Sequence, residues 1–131
     1  MEANEAVKSG TSILLVDDDA AARDTLGSLL PIRFPGVAVF SAGDGTEGLA
    51  SFQEHRQDIV ITDLSMARLD GSRMAAEILK ICPTATVIAI TAHTSGPSLS
   101  DAREAGIAHI LKKPLNLKEL LGLLEAIVGR C

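Results

Sequence analysis

Three aspartates in a row, Asp17-Asp18-Asp19, follow a short apolar run at residues 13–16. A further aspartate, Asp63, follows a second run at residues 59–62. Thr91 closes a third run that begins at Val87, and Lys113-Pro114 comes just after a fourth at residues 107–111. If the fold gathers these groups at one edge, several carboxylates lie too close to stay ionised without a cation. An all-oxygen, carboxylate-rich cleft with open positions suits Mg²⁺, which keeps several waters and takes one or two carboxylates. A metal beside an aspartate, an ammonium and a hydroxyl is equipment for a phosphoryl group. The metal and Lys113 would neutralise its oxygens, and Thr91 would donate a hydrogen bond to one of them. A carboxylate can itself be the nucleophile, giving an aspartyl phosphate.

Whether these groups meet depends on the elements between them. Apolar bursts at residues 13–16, 37–40, 59–62, 87–91 and 107–111 are rich in β-branched residues and nearly continuous. That is the pattern of strands buried on both faces of a parallel sheet. Helical spacing fills the gaps: Ala22, Leu26, Leu29 and Leu30; then Met74, Ala75, Ile78, Leu79 and Cys82; then Leu117, Leu120, Leu121, Leu124, Ile127 and Val128. Leu49 and Phe52 mark a shorter helix. Leu99 and Ala102 mark a poor one between Ser98 and Ala105, with little apolar area to hold it down. Asp19 is expected to cap the helix that starts near Ala20, and Asp70-Gly71 reads as turn chemistry. Pro31 should end or kink the first helix early. Strict alternation of five strands and five helices implies right-handed crossovers and a three-layer, doubly wound α/β sandwich. Such folds place their ligand at the carboxyl ends of the strands, beside the switch point in strand order. The four groups named above all stand there.

Composition removes several other classes. The 131 residues are 47% hydrophobic and 22% charged, which suits one globular domain over residues 12–131 behind a flexible lead-in at 1–11. A net charge of −5 with no Lys/Arg cluster argues against a nucleic-acid partner, and the absence of Trp and Tyr removes base-stacking platforms. No apolar run approaches the ~20 residues of a membrane span. The acidic, polar N-terminus has no signal-peptide core, so a cytoplasmic location is expected. Cys82 and Cys131 read as a reduced pair. His55 reads as a surface helix residue and His109 as a strand-edge residue. The three scattered histidines make no metal cluster.

From Ser12 to Gly129 the sequence resembles the receiver domain of bacterial two-component response regulators. The residues that carry the resemblance are Leu15-Val16-Asp17-Asp18-Asp19, the run from Ile59 to Met66 around Asp63, Leu69-Asp70-Gly71, Thr91-Ala92 and Lys113-Pro114. It implies a five-stranded parallel (βα)5 sheet of flavodoxin-like order 2-1-3-4-5, resembling the chemotaxis regulators. It further implies that Asp63 is the phosphoacceptor and that Asp17 and Asp18 form the acidic pair holding Mg²⁺, with Asp18 a direct ligand. The backbone carbonyl of Ser65 would be another ligand, Thr91 the switch hydroxyl, and Lys113 the phosphoryl contact, its bond to Pro114 being cis. The implied partners are a histidine kinase or phosphotransfer protein upstream and an effector protein or domain downstream. The effector would be met by the face of the fourth helix, fifth strand and last helix, where Leu123 stands about 100° from the centre of the apolar stripe. The chain would be a stand-alone regulator or a piece of a hybrid kinase or multidomain regulator.

Two positions depart from the family pattern. Met66-Ala67 replaces the usual Met-Pro after the phosphoacceptor, so that loop loses a rigid residue. Ile110 stands three residues before the lysine, where the family has Tyr or Phe, so the output face is expected to work without an aromatic rotamer switch. Two rival readings use the same residues. In a haloacid-dehalogenase-like phosphatase, Asp17 would be the nucleophile and Asp19 the general acid, but the chain is short for a core plus cap and Asp63 is left without a role. In a phosphorylation-independent pseudo-receiver the fold survives without the chemistry, which the intact set of acidic, hydroxyl and lysine residues argues against. A P-loop NTPase is excluded, since no Gly-x4-Gly-Lys-Ser/Thr occurs.

Overall fold

The structure is a computed structural model and describes residues 11–64, 66, 69–92 and 97–128. Five strands, β1 (Ser12–Val16), β2 (Ala38–Ala42), β3 (Ile59–Asp63), β4 (Thr86–Thr91) and β5 (His109–Lys112), alternate with five helices. The helices are α1 (Ala20–Arg33), α2 (Gly45–His55), α3 (Gly71–Ile81), α4 (Pro97–Ala105) and α5 (Leu117–Val128). All strand pairs are parallel, in the flavodoxin-like order β2-β1-β3-β4-β5. The chain moves outward from β1 in both directions, so the switch point lies between β1 and β3.

The period-two alternation of the strands divides the core into two layers. Ile13, Leu15, Ile59, Ile61, Ile88 and Ile90 face α1 and α5 and pack on Leu26, Leu30, Leu120 and Leu124. Their neighbours Leu14, Val16, Val60, Val87 and Ala89 face the other way, onto Phe52 of α2 and Met74, Ala75 and Ile78 of α3. Burying these side chains on both sides holds the carboxyl ends of the central strands level. α4 is the slightest contributor. Among its described side chains only Ala102 is fully buried, with Leu99 and Ala105 half-buried.

Several boundaries differ from the sequence reading. Val37 and Ile107 are buried but lie ahead of their strands, because their N–H groups bond to the preceding helix ends, Phe34 O and Ala102 O. Thr11, expected at the end of a flexible lead-in, is 2% exposed, and its carbonyl accepts from Ala38 N. α1 does not stop at Pro31 but continues to Arg33. The proline is exposed in the last turn, where only one intrahelical bond is forgone, and Phe34 N still closes on Leu30 O at 2.8 Å. On α5, Leu117 belongs to the expected apolar stripe yet is 39% exposed, whereas Leu123 packs half-buried against the core. Leu123 therefore sits at the core edge, and the exposed large apolar residue of that helix is Leu117. The expected lead-in at 1–10, Ser65, Ala67 and Cys131 lie outside the described residues.

Candidate functional site

β1 and β3 end side by side, and the residues at and just beyond their ends set the site. Asp17 follows Val16, and its N–H donates to Ala42 O at 3.2 Å, which carries the ladder one step past the strand. Its Oδ1 accepts from Asp19 N at 2.9 Å and tightens the loop. Asp18 is exposed. Asp19 turns away and caps α1, with Oδ1 accepting from Ala21 N and Ala22 N at 3.0 and 3.4 Å. Asp63 is the last residue of β3 and is 6% exposed. Oxygens of Asp17, Asp18 and Asp63 all lie within 4.8 Å of one another. Lys113 reaches in from beyond β5 and donates from Nζ to Asp63 Oδ2 at 2.9 Å. Thr91 is buried at the end of β4, one residue past the partner of Asp63, and its carbonyl accepts from Lys113 N at 2.9 Å. The Lys113–Pro114 peptide is cis, in agreement with the resemblance. The groups expected at one edge are thus brought together there, except Ser65, which lies outside the described residues.

The electrostatics follow from this packing. Burial pushes the Asp17 carboxyl above its ordinary value, with the charges of Asp63 and Asp18 acting the same way. The amide of Asp19 and the charge of Lys113 oppose the rise. The hydrogen bond to Asp63 raises the Lys113 ammonium, against the smaller opposing effect of burial. Its stabilising share is complete below the 10.5 of an ordinary lysine and is lost only as pH rises through the higher folded value. Three carboxylates with no imidazole or thiolate among them form a hard, all-oxygen donor set. That set fits a divalent cation of the Mg²⁺ type.

Asp70-Gly71 has a structural role that its turn chemistry alone did not reveal. Asp70 caps α3, accepting from Arg73 N at 2.9 Å. A Cβ on Gly71 would run into the backbone of Asp63 and Leu64. The start of α3 is pressed against the residue that carries the buried carboxylate. Gly71→Ala should therefore destabilise the fold by about 1–3 kcal/mol through overpacking. It should also shift the Asp63 and Leu64 amide resonances. Unchanged urea midpoints and spectra would show that the approach is looser than described. The division of labour in the acidic triplet gives a second test. Asp18→Ala should weaken Mg²⁺ binding far more than Asp19→Ala, whereas Asp19→Ala should lose ~1 kcal/mol of stability with its cap. NMR titration and urea melts read the two effects separately, and equal metal affinities would refute the assignment.

A doubly wound five-stranded sheet with clustered carboxylates and a lysine at its switch point defines a class of signalling domain. The family model of the response regulator receiver domain matches residues 13–125. The chain belongs to that family. It is similar to the transcriptional regulatory protein GlrR of Escherichia coli, 39% identical over 104 residues that cover 79% of this chain and 23% of the relative. It is 35% identical over 118 residues to the response regulator MprA of a Mycobacterium species, covering 90% of this chain and 50% of the relative. The chain thus spans half or less of the length of these curated relatives. The crystal structure of a response regulator receiver domain protein from Clostridium thermocellum superposes with a TM-score of 0.79 at 33% identity, covering 92% of this chain and 95% of the other. Among the described residues, no helix is long and apolar enough to cross a membrane.

Proposed function

We propose that residues 12–131 form one receiver domain that takes a phosphoryl group onto Asp63 from the phosphohistidine of a histidine kinase or phosphotransfer protein. The 2.9 Å ion pair between Lys113 and Asp63, set beside two further carboxylates, carries this reading. A carboxylate oxygen of Asp63 attacks phosphorus, the phosphorus–nitrogen bond breaks, and the imidazole nitrogen of the donor leaves with the electron pair. Lys113 holds the nucleophile in place before transfer and offers its ammonium to a phosphoryl oxygen afterwards. Thr91, at the adjoining strand end, supplies a hydroxyl to another. Mg²⁺ held by Asp17, Asp18 and Asp63, with the Ser65 carbonyl as the resemblance implies, would neutralise phosphoryl oxygens and so permit the approach of two anions. A cleft of about 400 Å³ opens beside these groups, and Ala22, Leu26, Ile90, Pro114 and Leu115 give it an apolar flank. That flank suits the side chains of a donor helix around its histidine.

The same site would hydrolyse its own phosphate, so the chemistry is self-modification rather than turnover of a substrate. Output passes to an effector protein or domain through the face of α4, β5 and α5, where Leu117 is exposed and Ile110 is half-buried. We place this exchange in the cytoplasm, without direct nucleic-acid contact by the receiver itself. The test is incubation with acetyl phosphate and Mg²⁺, followed by mass spectrometry and peptide mapping. One added phosphoryl group on Asp63 is expected. Modification of Asp17 with continuing turnover would make the protein a phosphatase, and no modification would make it a phosphorylation-independent module.

A further inference from the structure

Arg23 lies one turn inside α1, at a position where an arginine would ordinarily extend into solvent. Its side chain instead folds back beneath the acidic loop, half-buried, with Nη1 donating to the backbone carbonyl of Asp17. The same nitrogen stands 3.5 Å from the point where a Cβ on Gly43 would lie, and Glu47 Oε1 stands 3.6 Å from that point. Glu47 is itself fixed, accepting from Gly43 N at 3.0 Å. The guanidinium thus sits in a notch beside Gly43, with a backbone carbonyl to bond. The carbonyl of Asp17 and the N–H of Asp18 belong to one rigid peptide plane. Fixing that carbonyl fixes the plane from which the Asp18 side chain departs, and Asp18 is exposed, so burial does not orient it.

We propose that Arg23 is a positioning residue for the acidic pair: it sets the Asp17–Asp18 peptide so that both carboxylates converge with Asp63 on one cation. The inference rests on the reading of this cluster as a Mg²⁺ site. Loss of an outer-shell partner typically weakens metal binding by about 10–100-fold. Mg²⁺ titration of the ¹⁵N-labelled chain, followed at Asp18 and Asp63, should therefore give about tenfold weaker binding in Arg23→Met. Arg23→Lys keeps a donor of similar reach and should recover most of that affinity. Before any metal is added, the Asp18 amide nitrogen should already shift in Arg23→Met, because it shares the peptide whose carbonyl has lost its donor. If Arg23→Met does not fold, Arg23→Gln, whose shorter amide cannot reach the Asp17 carbonyl, replaces it under the same criterion. Affinity within about threefold of the parent, or no recovery in Arg23→Lys, overturns the role of Arg23. Absence of saturable Mg²⁺ binding in the unsubstituted chain would instead overturn the reading of the site, so the two failures are distinct.

Discussion

Asp63→Asn should fold and yet accept no phosphoryl group from acetyl phosphate, while Lys113→Ala should still react but about 10²–10³-fold more slowly. An amide in place of the carboxylate removes the nucleophile. An alanine in place of the lysine removes only a cation that meets charge as it develops. The stability effects should run the other way round. In Asp63→Asn the ammonium left behind is 40% exposed and can be hydrated, and one charge pressing on Asp17 is gone. In Lys113→Ala the Asp63 side chain, 7% exposed, loses its 2.9 Å donor. That should lower stability by about 1–3 kcal/mol at neutral pH, a loss that Mg²⁺ reduces. Urea melts of both variants with and without Mg²⁺ test the asymmetry. Equal destabilisation, or phosphorylation of Asp63→Asn, would contradict it.

Mg²⁺ should be a stabiliser of the fold as well as a participant in its chemistry, and Asp17→Asn should reveal why. Burial, followed by the charges of Asp63 and Asp18, raises the Asp17 carboxyl in the folded state above 3.8. The folded chain then binds this proton more readily than the unfolded chain. Stability from this group consequently falls as pH rises from 3.8 through the higher folded value, and the cost is complete above that value. A neutral Asn avoids that cost and keeps an oxygen for the Asp19 amide. Without Mg²⁺, Asp17→Asn should be the more stable protein at neutral pH, and the difference should fade as pH falls below 3.8. At a hundred times its Kd, Mg²⁺ should add ~2.7 kcal/mol to the parent and far less to the variant, which reverses the order. A parent that is more stable than Asp17→Asn in the absence of metal would show that the acidic cluster carries no such tension.

How much of this was legible in the sequence varies by kind of interaction. Strands buried on both faces leave uninterrupted apolar runs, so β1, β3 and β4 were located within a residue or two. Val37 and Ile107 misled because burial begins before pairing does, and hydropathy records only burial. The site residues were legible because a parallel sheet puts every strand's carboxyl end at one edge, so each terminal residue is a candidate by position alone. Arg23 and Gly71 were not legible in their roles. One depends on a side chain turning back to a carbonyl, the other on two backbones touching, and neither leaves a periodic trace. Pro31 marked the end of α1 three residues early, since a proline in a final, exposed turn sacrifices one bond and breaks nothing else.

Among its described side chains α4 buries fully only the methyl group of Ala102, beside the half-buried Leu99 and Ala105, where α3 contributes Met74, Ala75 and Ile78. Burial is worth ~0.8 kcal/mol per methylene-sized group, so the described side chains of α4 hold it to the sheet more weakly than those of α3 hold that helix. A helix held so lightly should populate several neighbouring placements. A bias of ~1.4 kcal/mol reweights two of them tenfold, a modest demand on one new doubly charged group at the carboxyl edge. The information leaving this domain would then be carried as a change in time spent among nearby arrangements. A bulkier side chain at position 102 would narrow that repertoire and silence the output while leaving Asp63 fully reactive.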